Sequence, residues 1–481
     1  MRRVDPVLRG HPALREQLSR IANGEPPRVL DLFAGAGGLS LGFQFAGFRI
    51  DGAVEIDPLA ARTHARNFHP HDIECHTLPR DITRTDPDVL GLDQVDVLVG
   101  GPPCQAYARV GRAKLREVAD HPAAFKVDAR GNLYLRYLAW VKALRPLALL
   151  VENVPDILHY GHHNVVEEMV DALEGLGYDA RYSLINSAFH GCPQMRDRVF
   201  LIAWRKELAV TVRFPRATRF MRLPRGYAGT RAVALRHVDR SGAAGYVAAD
   251  LGDESLPGPV TAREAIGDLS AIRGDSVRRG ARRFSELSRY AAAEDFSAYT
   301  ATMRRWPGFE AGEGVYDHVI RALPRDVPIF RAMRAGAEYP EAHATARLLA
   351  AREAARRGMA EGTTAYRELV SRMVPPYDVG KFPNRWWKLE ADQPVRTLMA
   401  HIGKDTYSHI HWDSDQARTI SVREAARLQG FPDGFVFEGT MNPAFRQIGN
   451  AVAPLMAAAI AEVMMETLRT AAMRFVSPIA A

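Results

Sequence analysis

The sequence contains few cysteines and no long apolar run. Three cysteines in 481 residues argue against a disulfide scaffold and fit a reducing cytosol. No apolar stretch reaches the ~18 residues that a transmembrane helix needs. The first ten residues, MRRVDPVLRG, lack the apolar core of a secretory signal. We therefore expect a cytoplasmic protein that has no membrane partner.

Lysine is also scarce, because 7 of the 63 basic residues are Lys and 56 are Arg. The formal net charge of +7 permits a polyanionic partner without demonstrating one. The excess is uneven: residues 205–395 hold 32 basic and 23 acidic side chains, a net of +9. The rest of the chain holds 31 basic and 33 acidic side chains, a net of −2.

The densest basic stretch is 205–240, where aromatic residues are interleaved with the charges. Its basic residues are Arg205, Lys206, Arg213, Arg216, Arg219, Arg222, Arg225, Arg231, Arg236 and Arg240, and its aromatic neighbours are Trp204, Phe214, Phe220 and Tyr227. Two interpretations stay open: a solvated Arg-rich face, or a surface that follows nucleic-acid phosphates. If the stretch follows phosphates, nucleic-acid binding should weaken and depend less on salt when four arginines are neutralised: Arg216, Arg219, Arg222 and Arg225.

Hydrophobic periodicity predicts alternating strands and helices before residue 205. The predicted strands are 28–33, 48–57, one ending at 80–82, 95–101, 147–154, 178–189 and 198–204; the predicted helices are 12–22, 37–47, 58–68, 132–146 and 164–177. This order is typical of a doubly wound α/β sheet. The alternation stops after 205, where helices are predicted at 317–335 and 340–359. Helices return at 421–431, with Ser421 as the N-cap, and at 451–468, whose apolar stripe is expected to lie in the core.

Ligands of such sheets bind at the carboxyl ends of the strands. A glycine-rich turn follows Asp31 in the segment DLFAGAGG, and its backbone N–H groups at a helix start can hold a ligand. Ser40 replaces the third glycine of the dinucleotide pattern. Glu55, at the next strand end, can hold two ribose hydroxyls, and Asp81, at the third, can accept a bond from an exocyclic amine. Together they predict a nucleoside site.

Two further strand ends carry a thiol and a carboxyl group. Cys104 follows two prolines in GGPPCQ, and Glu152 belongs to ENV. The two strands are neighbours in the usual order, so both side chains are expected in one pocket. A lone cysteine is usually inert and buried, but a rigid loop at a strand end favours a nucleophile. A thiolate that adds to C6 and an acid at N3 are what attack on a pyrimidine requires.

The sequence resembles the DNA (cytosine-5)-methyltransferase family, in particular its bacterial, restriction–modification-like members. The matching segments, in chain order, are DLFAGAGG, EID, RDI, GPPCQ, ENV, QMRDR, SVREAARLQGFPDGF and RQIGNAV. The resemblance implies that Cys104 is the nucleophile, that Glu152 contacts N3, and that Arg196 and Arg198 hold the cytosine and the catalytic loop. It implies S-adenosylmethionine as cofactor, becoming S-adenosylhomocysteine, and a cofactor site lined by Phe33, Ala34, Gly35, Gly37, Gly38, Glu55, Ile56, Asp81, Ile82, Pro103, Leu133 and Asn450.

The family implies a Rossmann-like methyltransferase sheet with a smaller inserted target recognition domain. We expect an N-terminal extension at 1–27, catalytic parts at 28–204 and 441–481, and target recognition at 205–440. The expected activity is methylation of C5 of a flipped cytosine in a specific double-stranded DNA sequence, through a covalent adduct between Cys104 and C6. We expect a monomer near the bacterial nucleoid, without a metal ion, with a cognate restriction or defence-system protein as a further partner.

Two residues depart from the family pattern: Ala108 replaces a serine that touches phosphate, and Ala453 replaces the first proline of GNAVPP. Three other functions stay open. A tRNA cytosine-5 methyltransferase would have a shorter insert, a non-catalytic relative would have lost Cys104 or Glu152, and a nicotinamide oxidoreductase would need a glycine at Ser40.

Other patterns favour structural roles. His69, His71, Cys75 and His76 resemble metal ligands weakly, and Cys75 and Cys192 are expected to be structural. Trp386 with Trp387 could stack on bases or pack in a core.

Overall fold

The computed structural model describes residues 11–92, 94–103, 133–159, 164–241, 244–277, 286–291, 297–403 and 407–476. Cys104 and Ala108 lie outside these residues. The described residues form two compact units. The first lies within Met1–Gly191, Arg196–Gly258 and Ala451–Ala481, and the second within Cys192–Met195 and Pro259–Asn450. These divisions differ from the predicted boundaries at 205 and 441, because residues 205–258 pack with the first unit.

Ten strands occur in the described residues. They are β1 (Arg28–Leu32), β2 (Arg49–Val54), β3 (Val97–Gly100), β4 (Ala148–Asn153), β5 (Tyr178–Asn186), β6 (Gln194–Met195), β7 (Asp197–Arg205), β8 (Ser288–Arg289), β9 (Gly314–Val315) and β10 (Val395–Arg396).

Fifteen α-helices occur in the same residues, together with short 3-10 turns at 87–90, 155–159, 187–190 and 206–208. They are α1 (Pro12–Ala22), α2 (Gly38–Phe45), α3 (Pro58–Phe68), α4 (Ile73–His76), α5 (Leu133–Leu144), α6 (Val165–Gly175), α7 (Arg225–Ser241), α8 (Ala262–Ile266), α9 (Ala298–Arg304), α10 (Val327–Ala332), α11 (Tyr339–Arg356), α12 (Thr364–Met373), α13 (Val422–Gln429), α14 (Met441–Asn450) and α15 (Pro454–Val476).

The first unit is built on a six-stranded sheet of order β2-β1-β3-β4-β7-β5. β1 to β4 are parallel neighbours in that order, while β7 runs antiparallel between β4 and β5. Strands β1, β3 and β4 are almost entirely buried, as expected where helices cover both faces of a doubly wound sheet. The predicted α/β fold is therefore confirmed, and the carboxyl ends of β1 to β4 meet at one edge.

One predicted strand is absent from this sheet. The segment that ends at Arg80–Ile82 is irregular, and α4 occupies part of it. The residues before it are mostly exposed, so they offer no continuous apolar run for a place inside the sheet. Asp81 consequently lies on a loop beside β2, where the Arg80 N–H donates to the Glu55 carbonyl oxygen at 2.7 Å.

The second unit is held together by buried ion pairs and an aromatic core. Ser421 caps α13 in a capping box with Glu424, as its sequence predicts. The tryptophans at 386 and 387 are both buried, which decides for core packing over base stacking. The predicted helix at 317–335 is shorter than expected: 317–326 is irregular and only α10 forms, whereas the prediction at 340–359 corresponds to α11.

The longest apolar helix is α15, which packs within the first unit. Gly42 of α2 lies so close to it that a Cβ atom there would stand 2.5 Å from the Ala457 side chain. The expectation that no apolar stretch is long enough to span a membrane is corrected here, because the helical stretch Met441–Phe475 is long and apolar enough by length and composition. However, 72% of its most apolar window is buried. Such burial is typical of a core helix, as predicted for 451–468.

Candidate active site

The glycine turn after β1 presents one open position. Phe33 and Gly35 adopt left-handed backbone angles, with φ of 59° and 56°, and Phe33 packs partly buried against the core of the first unit. A Cβ atom at Gly35 would meet no atom within 4 Å. Gly35 therefore leaves backbone and space exposed to a ligand at the carboxyl end of β1.

The other two glycines of the turn are required by packing. A Cβ atom at Gly37 would lie 2.4 Å from Phe68, and one at Gly38 would lie 2.2 Å from the Val452 carbonyl oxygen. Both positions therefore exclude a side chain whether or not a ligand binds. Their predicted contact with a cofactor could come only from their backbone groups, as it could at the buried Ala34.

Glu55 closes the turn from the end of β2. The Gly35 N–H donates to Glu55 Oε2 at 2.8 Å, and the Asp57 N–H donates to Oε1 at 2.7 Å. Burial raises the pKa of Glu55, and these two backbone donors oppose the rise. The neighbouring Ile56 is 63% exposed. A carboxylate held by the turn beside an exposed apolar side chain is suited to a nucleoside, with hydroxyls on one side and a flat base on the other.

Asp31 lies beneath the turn in a buried polar chain that the sequence did not predict. Ser40 Oγ donates to Asp31 Oδ2 at 2.7 Å and lies 2.9 Å from His64 Nε2. Burial raises the pKa of Asp31 from 3.8 to about 7, and its bonds to Ser40 oppose the rise. Burial also lowers the pKa of His64 well below its usual value, so this imidazole is neutral near pH 7.

Asp81 and Ile82 lie beside the same edge of the sheet. Asp81 Oδ1 accepts from the Thr83 N–H at 2.9 Å and from Thr83 Oγ1 at 2.7 Å. Asp81 Oδ2 lies 3.8 Å from Arg84 Nε. The neighbouring Ile82 is buried. Leu133 begins α5 and packs partly buried against the core of the first unit.

Glu152 and Arg198 form a direct pair on one face of the sheet. The register places Glu152 of β4 opposite Phe200 of β7, and side chains two residues apart share a face. Arg198 Nε donates to Glu152 Oε1 at 2.8 Å, and both side chains are mostly buried. Burial raises the pKa of Glu152, while Arg198 and the buried Arg196 oppose the rise. Burial and the two arginines thus act in opposite directions on the ionisation of this carboxyl group.

The loop that leads to Cys104 is attached to β4. The side-chain amide of Asn153 donates to the Pro102 carbonyl oxygen at 2.7 Å. A Cβ atom at Gly101 would stand 3.0 Å from Glu152 Oε2, so this glycine leaves room beside the carboxyl group. Pro103 is the last described residue before the gap, and Cys104 follows it in the sequence. Asn450 is the exposed last residue of α14, in the second unit.

The basic stretch is divided by burial. Trp204 and Arg205 are buried, and so is Arg231; these three cannot follow phosphates at a surface. Arg216 and Arg225 are exposed. Arg222 is also exposed and pairs with Glu254. The two buried arginines pair with Glu207 and Asp197 at 2.7 and 2.6 Å, which sequence spacing alone does not reveal.

The four candidate metal ligands do not converge. In the part of the chain that the structure describes, no group of three or more His, Cys, Asp and Glu residues is placed to hold a metal ion. His69 and His76 instead stack with ring centroids 3.6 Å apart. Cys192 is buried, as a structural cysteine would be, but Cys75 is exposed, which corrects its predicted structural role.

The fold and its site define a class: a Rossmann-like α/β enzyme with a glycine turn, a carboxylate and an acid–arginine pair along one sheet edge. The solved structure of a DNA modification methyltransferase encoded within a prophage (E. coli) has the same fold. The TM-score is 0.58 at 23% identity, over 92% of this chain and 99% of that chain.

Sequence comparisons specify the family. The profile of the C-5 cytosine-specific DNA methylases matches residues 27–244 and 315–466. The type II methyltransferase M.OihORF3336P of Oceanobacillus iheyensis is 36% identical over 454 residues, 92% of this chain and 96% of the relative. M.AgeI of Thalassovita gelatinovora is 29% identical over 473 residues, 90% of this chain and 98% of the relative. The chain belongs to the C-5 cytosine-specific DNA methylase family, which confirms the predicted resemblance and decides against a nicotinamide oxidoreductase.

Sequence reasoning gave no role to Asp31, Asn153 or Arg231. Asp31 and Asn153 lie inside the quoted motifs DLFAGAGG and ENV. Arg231 had a detectable signal: it shares a helical face with Ala234, Leu235 and Val238, three, four and seven residues further on. An arginine on an apolar helix face is expected to be buried and paired.

Proposed function

We propose that this chain methylates C5 of a cytosine flipped out of double-stranded DNA, through a covalent bond between Cys104 Sγ and C6. The observation that carries the proposal is the Glu152–Arg198 pair at 2.8 Å, in which Glu152 lies on β4, the neighbour of the strand that leads into GPPCQ. The base must leave the helix because attack on C6 comes from the face of the ring.

The chain's own groups perform the following steps. The Cys104 thiolate forms a bond to C6 while Glu152 donates a proton to N3, and the electron pair of the C5–C6 bond becomes available at C5. Arg198 holds the Glu152 carboxyl group and, with Arg196, the base. After C5 carries the methyl group, a base from solvent takes the C5 proton, the freed electron pair re-forms the C5–C6 double bond, and the bond between C6 and Cys104 Sγ breaks to release the thiolate. Glu152 recovers its proton from N3.

The nucleoside site fits S-adenosylmethionine, which when bound supplies the methyl group. The open Gly35 and the carboxyl group of Glu55 would hold the ribose, while Ile56, Phe33 and Leu133 would contact the adenine. Asp81 would accept from the exocyclic amine through the oxygen that Thr83 leaves free. Ala34, Gly37, Gly38, Ile82 and Pro103 would complete the part of the site that the first unit forms.

We assign the exposed surface of 205–440 to target recognition, with arginines binding phosphates and other side chains reading base edges. The names of the relatives support a modification enzyme of a type II restriction–modification system, in which methylation protects host DNA from a partner endonuclease. We expect a bacterial protein acting as a monomer on nucleoid DNA in the cytoplasm.

Bisulfite sequencing of DNA from a host that expresses this chain tests the activity and reveals the recognised sequence. Modified cytosines in one sequence context are expected, and folded protein without modified cytosines would overturn the proposal. A comparison of labelled methyl transfer to duplex DNA and to tRNA distinguishes the two substrates.

Trapping with a duplex that contains 5-fluorocytosine tests the covalent step. The fluorine cannot leave as a proton does, so a protein–DNA adduct that survives denaturation should accumulate. Cys104→Ser should abolish the adduct, while Cys75→Ser, a substitution at an exposed thiol, should retain it. An adduct in the Cys104→Ser variant would rule out this nucleophile, and its absence from the parent would favour a non-catalytic relative.

A further inference from the structure

Arg231 is a buried arginine with a specific pair of acceptors. It lies on α7 with a relative exposure of 8%. Its Nη1 donates to Asp197 Oδ1 at 2.6 Å and its Nη2 donates to the Leu184 carbonyl oxygen at 2.6 Å. The planar fork of one guanidinium thereby joins β5 and β7.

Asp197 connects this fork to the acid–arginine pair. Asp197 stands opposite Asn186, whose amide also donates to Asp197 Oδ1 at 3.2 Å. The main-chain carbonyl oxygen of Asp197 accepts from Arg198 Nη1 at 2.7 Å. The Arg198 guanidinium is therefore held at two places, by Glu152 on one side and by the Asp197 backbone on the other.

The helix that carries Arg231 also packs against the core of the first unit and the turn that follows β4. Ala234, Leu235 and Val238 of α7 join the apolar core of the first unit. Further along the helix from Arg231, His237 stacks on His159 with ring centroids 3.4 Å apart. His159 ends the 3-10 turn that follows ENV. Helix α7 thus contacts both the strand of Arg198 and the segment that follows the strand of Glu152.

We propose that Arg231 is a positioning residue, which holds Arg198 against Glu152 through Asp197. This inference rests on the proposed function, because it presupposes that Glu152 and Arg198 act on the base. Arg231 is on the opposite face of the sheet from that pair, since Asp197 and Arg198 are consecutive strand residues. It therefore acts through the strand and does not touch the substrate.

The test measures the single-turnover rate of methyl transfer at saturating DNA and cofactor. This rate constant does not depend on the fraction of folded protein, so partial unfolding of a variant cannot imitate the effect. Arg231→Gln should lower the rate by about tenfold or more, since small displacements of catalytic groups cost this much. The dissociation constants for DNA and S-adenosylhomocysteine should change by less than about threefold, because no binding contact is removed.

Arg205→Gln is the matched control. Arg205 is a buried arginine at the far end of β7, paired with Glu207 at 2.7 Å, so its loss should lower stability without lowering the rate. In the double variant Asp197→Asn/Arg231→Gln, the rate should be no lower than in the slower single variant, because both substitutions interrupt one connection.

The outcomes separate this inference from the proposed function. Three results would overturn the positioning role. The single-turnover rate could fall by less than tenfold in Arg231→Gln, it could fall equally in Arg205→Gln, or the two single-variant losses could multiply in the double variant. Glu152→Gln serves as the reference for the function itself. Methylation at the parent rate in Glu152→Gln would overturn the proposed function, whereas an inactive Glu152→Gln beside a normal Arg231→Gln overturns the positioning role alone.

Discussion

The side-chain amide of Asn153 donates to the carbonyl oxygen of Pro102 across 2.7 Å. Asn153 is 5% exposed, so this bond is buried and attaches the proline loop to the end of β4. The same residue uses its Oδ1 to accept the Val154 N–H at 2.9 Å. The Asn153 side chain thus connects the proline loop after β3 to the segment that follows β4.

Asn153→Ala should weaken catalysis more than binding. The substitution leaves the Pro102 carbonyl oxygen without this donor, which costs about 1–3 kcal/mol of unfolding free energy, and loosens the loop before Cys104. We expect kcat to fall by about tenfold or more, with little change in S-adenosylhomocysteine affinity. Asn164→Ala is the control: it removes the N-cap of α6 at a cost of about 1 kcal/mol. Equal kcat losses in both variants would contradict the prediction.

The free energy of unfolding should depend on the ionisation of Asp31. Its folded-state pKa is about 7 against an ordinary 3.8, so between these values the folded chain binds a proton that the unfolded chain has lost. Below pH 3.8 Asp31 is protonated in the folded and the unfolded chain, and its contribution to the free energy of unfolding is fully present. As the pH rises from 3.8 to about 7, the free energy of unfolding falls by about 1.4 kcal/mol per pH unit. The decline should end near pH 7.

Urea unfolding of Asp31→Asn and the parent from pH 5 to pH 8 measures this dependence. Asparagine resembles the protonated acid, so the variant should lose the slope and become the more stable protein at the upper end. Ser40→Ala should extend the decline to higher pH, because its hydroxyl opposes the rise in the Asp31 pKa. A parent and an Asp31→Asn variant with the same slope would show that Asp31 does not titrate there.

Two glycines of one turn should respond differently to alanine. Gly38→Ala places a Cβ atom 2.2 Å from the Val452 carbonyl oxygen, and overpacking of this kind costs about 1–3 kcal/mol of stability. Gly35→Ala meets no atom but has a φ of 56°, which costs about 1–2 kcal/mol. Only Gly35→Ala should also weaken S-adenosylhomocysteine binding, by about tenfold, since its methyl group enters the ligand space. Calorimetric titration of the folded variants measures both affinities.

Exposed arginines of the basic stretch should contribute to DNA affinity through counterion release. Neutralising Arg216, Arg219, Arg222 and Arg225 to glutamine should lower affinity and reduce the slope of log K against log salt by up to ~0.9 for each phosphate that is no longer neutralised. The paired variant Arg216→Gln/Arg225→Gln can be compared with Arg15→Gln/Arg62→Gln, which alters two other exposed arginines. Identical slopes for the two pairs would show that the stretch is only a solvated surface.

The order of strands and helices could be predicted because periodicity and turn residues are local properties. The apolar runs of β1, β3 and β4 and the Ser421 cap belong to this class. Errors arose where neighbours in space decide the outcome. The segment before Asp81 has a short strand-like end, yet its exposed residues gain nothing from the sheet. For Trp386 and Trp387 the sequence left base stacking and core packing open, and the core of the second unit, which buries both tryptophans, decides between them.

The sequence by itself determined the family, the methyl donor that the family uses, and the residue types at the strand ends. These features depend on residues close together in the chain and on their order. Only the tertiary structure decided which arginines are exposed, which glycines leave room for a ligand, and that Arg231 reaches Asp197 across 34 positions. The reason is physical: burial, close approach and charge pairing depend on distances between segments, and no local pattern encodes those distances.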